Sequence, residues 1–421
     1  MEAVLSLADH LQRAARQTPS APALIAAGQS WSFARLVDDS TALAAAIDDS
    51  PTPLVLAGKN LDLARHAWAC SLKNRPFWPV DRSSPPAAGK TVPADTALII
   101  STSGSEGQPR AVCLSRANLD AASAAANQRL PLHPGDLWLA CLPLYHIGGQ
   151  AILWRCARAA AGVLLHDGFE VTTIAADLAG YPVTHLSLVP AMLARLLDAG
   201  IHPPPGLRHV LVGGAALAAP LYERAVAAGW PLNPSYGMSE TAAQIATWTP
   251  SDGPWHEGLV GRPLAGSEIA IAADGRIRLR GPQVMAGYLD GGGPDADGWL
   301  TTGDLGRLDA AGRLSVLGRA DDLLISGGRN VHPLEIESCL AACPGVADVA
   351  VSGLPDPVWG DLIVALVAGS ASDDSLRRWA EQALPSAARP RRFIRLDRLP
   401  RNATGKLERA VLRRLVAEHC R

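Results

Sequence analysis

The sequence predicts an α/β protein: a large N-terminal domain of parallel or mixed sheets flanked by helices, a β-rich subdomain, and a small α+β C-terminal domain. Three observations predict this. Between Leu119 and Trp230, apolar strand-like runs alternate with segments of helical period, the pattern of a parallel sheet covered on both faces. Past residue 260 the texture changes to short alternating strands with turns at Asp274-Gly275 and Ala311-Gly312. A chain of 421 residues is also too long for one ordinary core. We divide it at 320: residues 1–320 as the large domain and 321–421 as the small one.

Taken in order, residues 1–90 alternate helical and extended patterns. Leu7–Arg16 and Phe33–Ile47 carry apolar residues at helical spacing, with Ser6 and Ser32 placed as N-caps. Leu54–Ala57 reads as a strand, Leu61–Leu72 as the helix after it, and Pro85–Gly89 as a linker. The α/β rhythm then places strands at Trp138–Leu142, Val163–Leu165, His185–Val189 and Val210–Gly213. Helices are expected at Ile147–Ala161, Val171–Ala179, Ala191–Ala199 and Pro220–Ala228. In the β-rich part the expected strands are Ile269–Ile271, Arg276–Leu279 and Arg313–Leu317. The tail holds two helix–strand alternations and a last helix, Leu407–His419.

In parallel sheets ligands bind beyond the carboxyl ends of the strands, so the residues there hold the chemistry. The run Ala97–Ile100 ends abruptly in Ser101-Thr102-Ser103-Gly104-Ser105-Glu106-Gly107-Gln108-Pro109-Arg110 before a second apolar run, Ala111–Leu114. Glycines let backbone N–H groups approach a phosphate, Thr102, Ser103 and Ser105 offer hydroxyls, and Arg110 a fixed positive charge. No Gly-Lys-Ser/Thr closes the loop, so it is not a Walker A motif; by itself it reads equally as a surface turn. Tyr145-His146 follows one strand end, where a lone histidine is more often structural. Tyr236-Gly237-Met238-Ser239-Glu240-Thr241 follows another. Glu240 reads as a solvated helix-start residue or, beside a phosphate loop, as an oxygen ligand for Mg²⁺.

The composition excludes several classes. A net charge of −2 leaves no basic footprint for nucleic acid or membrane surfaces, and the composition, 48% hydrophobic and 19% charged, is that of an ordinary soluble protein. No stretch has the length of a membrane span, and residues 1–20 lack the pattern of a signal peptide. Seven scattered cysteines without a Cys-x-x-Cys pair point to reduced thiols in a cytoplasm.

Together and in order, these motifs resemble those of the adenylate-forming superfamily of acyl-CoA synthetases, adenylation domains and luciferases, from about residue 20 to the end. Thr102–Val112 is similar to its phosphate loop, Tyr145-His146 to its aromatic-histidine motif, and Tyr236–Thr241 to its Tyr-Gly-Met-Thr/Ser-Glu-Thr box. Thr302-Gly303-Asp304 resembles its ribose motif, Gly318–Asp321 its hinge, and Asn402–Lys406 its C-terminal Asn-x-x-Gly-Lys signature. The resemblance implies ATP, Mg²⁺ and CoA as partners, and an acyl-adenylate made from a carboxylic acid. It gives Lys406 the bridge between carboxylate and α-phosphate, and Glu240 the Mg²⁺. The loop from Thr102 through Ser103, Gly104, Ser105 and Gly107 to Arg110 would take the outer phosphates. Asp304 and Arg319 would hold the ribose, and Tyr236 with Gly213-Gly214-Ala215 would flank adenine, beside Gly237, Met238 and Ser239 of the box. His146 and Tyr145 would shape the acid site. The small domain would be mobile, swinging about Asp321 to present Ser326, Gly327 and Gly328 to the pantetheine arm. Those glycines also suit a plain hairpin turn.

The loop departs from the family pattern with Glu106 for threonine, Arg110 for lysine and Ala111 for glycine. Glu106 is expected to weaken ATP binding unless it faces solvent or recruits Mg²⁺. His146 stands where amino-acid-activating relatives carry aspartate, so an amino acid substrate is not expected. Leu142–Gln150 followed by Ile152-Leu153-Trp154-Arg155 is most similar to o-succinylbenzoate–CoA ligases of menaquinone synthesis. Their substrate is an aromatic dicarboxylate, whose second carboxylate Arg155 would hold; the plainer reading is that Arg155 snorkels from a helix face. Another aryl- or acyl-CoA ligase, a stand-alone adenylation enzyme loading a carrier-protein thiol, and a non-catalytic ATP-binding relic are the alternatives. A homodimer is compatible with all of them.

Overall fold

A computed structural model describes residues 3–81, 92–102, 110–401 and 407–420. The expected linker Pro85–Gly89 lies outside them, as do Ser103, Gly104, Ser105, Glu106, Gly107 and Lys406 among the anticipated site residues.

The expected alternation yields parallel strands. Pro22–Ala26, Gly162–Leu165, Leu137–Ala140, His185–Leu188, His209–Val212 and Leu232–Met238 lie side by side in that spatial order, each pair parallel. Neighbouring side chains along a strand point to opposite faces. Trp138 and Ala140 therefore enter a core with helices Leu7–Gln17 and Ile147–Ala159, while Leu137 and Leu139 enter a second core with helices Val171–Gly180 and Pro190–Asp198. Beyond Leu232–Met238 the same sheet continues antiparallel through Ala243–Thr247, Leu259–Pro263, Leu314–Arg319, Leu300–Leu308, Arg276–Arg280 and Glu268–Ile271, for thirteen strands among the described residues. This part is the β-rich subdomain, and it grows from the edge of the parallel sheet.

A second sheet runs Gly287–Tyr288, Ala111–Ser115, Thr96–Ser101, Phe77–Val80 and Leu54–Ala57. Five helices pack between it and the large sheet in one core. Ser6 caps the first of them with a full capping box, and Ser32 accepts from the Arg35 N–H. The helix Phe33–Ala45 ends two residues earlier than its period suggested.

The structure adds elements beyond those the sequence pattern predicts, among them a hairpin and a helix. The hairpin Pro22–Ala26/Gln29–Ser32 turns at Ala27-Gly28, both at positive φ. The helix Arg116–Arg129 is so alanine-rich that its apolar period is faint.

Residues from Leu324 on form their own five-stranded sheet, with helices Pro333–Ala341, Asp373–Ala383 and Arg409–His419 and separate cores on its two faces. The last helix starts at Arg409 rather than Leu407, which instead pairs with Arg401. Arg409 is fixed between Glu337 (2.6 Å) and Asp322 (3.4 Å), tying that helix to the segment after the large domain. Ser338 bonds Glu257 across the two parts. No helix among the described residues is long and apolar enough to cross a membrane.

Candidate functional site

The carboxyl ends of the strands of both sheets face one another, and polar residues collect there. Asn60 staples the two: its Nδ2 donates to the carbonyls of Leu142 (3.3 Å) and His166 (2.7 Å), and its Oδ1 accepts from the Leu144 N–H (2.8 Å). This fixes the crossover into Tyr145 and His146. His146 is the N-cap of helix Ile147–Ala159 but makes no capping hydrogen bond with its side chain, and its ring lies 4.6 Å from that of Tyr145. The helix can start this close to the crossover because position 149 is glycine; a Cβ there would sit 2.5 Å from the Pro143 carbonyl oxygen. Tyr145 lines a cavity of about 260 Å³ with Lys59, Asn60, Asp81 and Asp167, all just past strand ends. Burial, then the Asp81 charge, raises the Tyr145 phenol above its ordinary pKa.

Beyond His185–Leu188 in the same sheet lie the ends of His209–Val212 and Leu232–Met238. Val212 pairs with Pro234, so Gly213 meets Ser235 and Tyr236; a Cβ on Gly213 would come 2.8 Å from the Ser235 hydroxyl. The Tyr236 hydroxyl donates to Asp304 Oδ2 at 2.7 Å. Asp304 is paired in register with Arg319, whose guanidinium lies 3.5 Å from Oδ1 and 2.8 Å from Asp321. Glycine at position 303 leaves room for that guanidinium, which a Cβ there would approach to 2.6 Å and displace. Burial chiefly, then the Asp304 charge, raises the Tyr236 phenol well above its ordinary pKa, so it remains a donor. Tyr236, Asp304, Arg319 and Asp321 thus form one polar cluster assembled from three separate strands and the turn Ala320–Asp322.

The box after Tyr236 is a tight bend. Gly237 passes so close to the next strand that a Cβ would fall 2.0 Å from the Ala243 carbonyl oxygen. Ala242 and Ala243 take positive φ values of 50° and 101°, strain that the Thr241 hydroxyl offsets through bonds at Met238 and Ala243. The bend turns Glu240 outward, half-buried, where its Oε1 accepts from the Tyr288 hydroxyl at 2.9 Å. Its second oxygen fits a hard divalent cation. Among the described residues no group of three or more acidic, His or Cys side chains that could hold a metal ion comes together.

At the neck of the expected phosphate loop, the Thr102 N–H donates to the Arg110 carbonyl at 2.8 Å. The Arg110 side chain makes hydrogen bonds to Asp290 (3.2 and 3.3 Å) and to the Gly291 carbonyl (2.8 Å), and it lies 3.4 Å over the Tyr288 ring. Tyr288 and Asp290 were not read from the sequence; Gly287–Tyr288 is a two-residue strand with no period of its own.

Two anticipated elements differ from this picture. Arg155 is not among these residues. It lies nine residues beyond His146, about 13 Å along the helix, and covers Trp138 near the amino end of its strand. It does not snorkel to solvent: it is 2% exposed, its Nε has no hydrogen-bond partner among the described residues, and burial lowers its pKa to about 10. Gly327 and Gly328 form the tip of the hairpin Leu324–Ser326/Arg329–Val331 at φ +56° and +73°, with Ser326 buried at its base. The tip lies against Trp359, whose carbonyl accepts from the Gly327 N–H at 2.9 Å.

Residues 52–289 match the profile of the AMP-binding enzyme family, and residues 335–406 that of the AMP-binding enzyme C-terminal domain. A 2-succinylbenzoate–CoA ligase of Bacillus velezensis is 38% identical over 336 residues, 76% of this chain and 69% of that ligase. The o-succinylbenzoate CoA synthetase of Bacillus subtilis in complex with its acyl-adenylate intermediate superposes with a TM-score of 0.86 at 31% identity, over 96% of this chain and 97% of that one. The same synthetase with ATP and magnesium ion gives 0.85 at 30% identity, over 95% and 98%.

Proposed function

The chain belongs to the AMP-binding enzyme family, and on that footing we propose that it is an ATP-dependent acid–CoA ligase acting on o-succinylbenzoate, a step of menaquinone synthesis. The observation that carries the nucleotide half is the cluster of Tyr236, Asp304 and Arg319 beside the outward-turned Glu240. An acid oxygen attacks the α-phosphorus of ATP and the bond to pyrophosphate breaks. A CoA thiolate then attacks the acyl carbon, and AMP leaves with the bridging oxygen.

Each side chain has a task in this reading. Asp304 accepts from the ribose hydroxyls while Arg319 donates in the same plane. Tyr236 and the Gly213-Gly214-Ala215 strand end flank the base. Arg110 and the loop with Ser103, Gly104, Ser105 and Gly107 take the β- and γ-phosphates, and Glu240 would hold a Mg²⁺, which would supply positive charge against them. Lys406 bridges the attacking carboxylate and the α-phosphate. Tyr145 and His146 border the acid. Asp321 is the hinge, and Gly327-Gly328 the surface along which pantetheine lies.

The test is pyrophosphate release from MgATP with o-succinylbenzoate, benzoate, octanoate or amino acids, with and without CoA. Selective release with o-succinylbenzoate and a thioester of matching mass is the expected result. Release with another acid keeps the chemistry and overturns the substrate; release without thioester points to a carrier-protein acceptor. Arg155→Met is expected to leave the ratio of o-succinylbenzoate to benzoate activity unchanged and stability unchanged or higher, because it removes a buried cation whose Nε has no partner among the described residues. A loss confined to the dicarboxylate would return Arg155 to the acid site.

A further inference from the structure

Four side chains form one continuous line at the phosphate end of the site. Asp290 holds the Arg110 guanidinium, which lies 3.4 Å over the Tyr288 ring, and the Tyr288 hydroxyl donates to Glu240 Oε1. Arg110 and Glu240 are the positive and negative groups assigned to the same triphosphate, yet 130 positions separate them in the chain. Tyr288 is in contact with both. Its strand, Gly287–Tyr288, pairs with Val112 and Cys113 directly after the phosphate loop. The Met285 N–H also bonds the Glu240 carbonyl at 2.8 Å, so the segment is anchored to both partners through backbone as well.

We propose that Tyr288 is a positioning residue for MgATP, its hydroxyl orienting Glu240 toward the metal and its ring setting the plane of Arg110 toward the phosphates. The proposal rests on the ATP reading of Arg110 and Glu240. A carboxylate free to rotate spreads its two oxygens over many directions; one fixed hydrogen bond leaves the other oxygen aimed. The phenol suits that work, since its hydroxyl donates to Oε1 at 2.9 Å and leaves the second oxygen to the metal. The ring acts differently. Arg110 and Asp290 have side chains 41% and 47% exposed, so water and salt weaken their attraction and Asp290 alone holds the cation loosely. The aromatic face adds a flat seat that keeps the guanidinium aligned when phosphate oxygens replace Asp290.

The experiment measures ATP binding by calorimetry over a Mg²⁺ series, without acid or CoA, on full-length Tyr288→Phe, Tyr288→Leu and Glu240→Gln. Steady-state constants and thermal midpoints are taken on the same samples. Tyr288→Phe is expected to raise the Mg²⁺ needed for half-maximal ATP binding on the order of tenfold, the worth of one hydrogen bond to a charged group. Its KM for the acid should stay put, and its midpoint should fall only by the loss of one hydrogen bond. Tyr288→Leu should in addition weaken ATP binding in the absence of Mg²⁺. An unchanged Mg²⁺ requirement in Tyr288→Phe, with Glu240→Gln impaired, would overturn the role of Tyr288 alone. If Glu240→Gln also binds MgATP normally, the assignment of Glu240 falls with it.

Discussion

Lys406→Ala is expected to lower acid-dependent pyrophosphate release by about 10²–10³-fold, the usual cost of losing one charge-stabilising donor at a reacting centre. Thioester formation from supplied acyl-adenylate and CoA should be nearly unaffected. The physical reason is the charge of the first step: a carboxylate approaches a triphosphate, and only a cation between them lowers that repulsion while aligning the attack. In the second step the thiolate attacks a carbonyl whose neighbour is already a good leaving group, so the bridging ammonium is no longer needed. Quenched-flow measurement of each half-reaction separates the two. An equal fall in both would mean that Lys406 serves a single closed state, and that the division of labour between the two steps is wrong.

Asp304→Ala is expected to cut kcat/KM for ATP on the order of 10²–10³-fold and to cost about 1–3 kcal/mol of stability. Both effects come from one carboxylate. Towards the ligand it supplies two acceptor sites for the ribose hydroxyls. Within the protein it accepts from the buried Tyr236 phenol at 2.7 Å and lies beside Arg319 at 3.5 Å. Removing it takes that acceptor from the phenol and one of the neighbouring carboxylates from Arg319. Asp304→Asn keeps an acceptor for Tyr236, so it should recover most of the stability and little of the ATP affinity. ATP titrations of pyrophosphate release, set beside urea unfolding curves, read the two effects independently. ATP kinetics within a few-fold of the parent in Asp304→Ala would remove the ribose role.

Much of this protein was legible in its sequence. The helix starts at Ser6 and Ser32 are local events, decided by a side chain reaching three residues ahead, and they occur where the serines stand. The parallel strands follow from runs such as Leu137–Ala140 that are buried on both faces, and the hairpins after 260 from their turn residues. The motif residues Tyr236, Glu240, Asp304 and Arg319 were readable because each lies in a short stretch that resembles a family motif, and the resemblance supplies their roles. The alanine-rich helix Arg116–Arg129 was not readable, since alanine gives a helix little contrast between its faces.

What only the tertiary structure decided is which of these groups meet. The Tyr236–Asp304, Glu240–Tyr288 and Arg110–Asp290 contacts span 68, 48 and 180 positions, and no local period encodes them. Tyr288 reaches Glu240 because the edge of Ala111–Ser115 offers hydrogen bonds to a two-residue strand that could not exist alone. Arg155 illustrates the converse. The resemblance to dicarboxylate-activating ligases suggested that it holds a second carboxylate, but a helix rises 1.5 Å per residue and carried it toward the other end of the sheet. Sequence determines the elements and their chemical groups through interactions a few residues long; the packing of two sheets around shared helices determines the partners, because only there do distant segments exclude water from the same space.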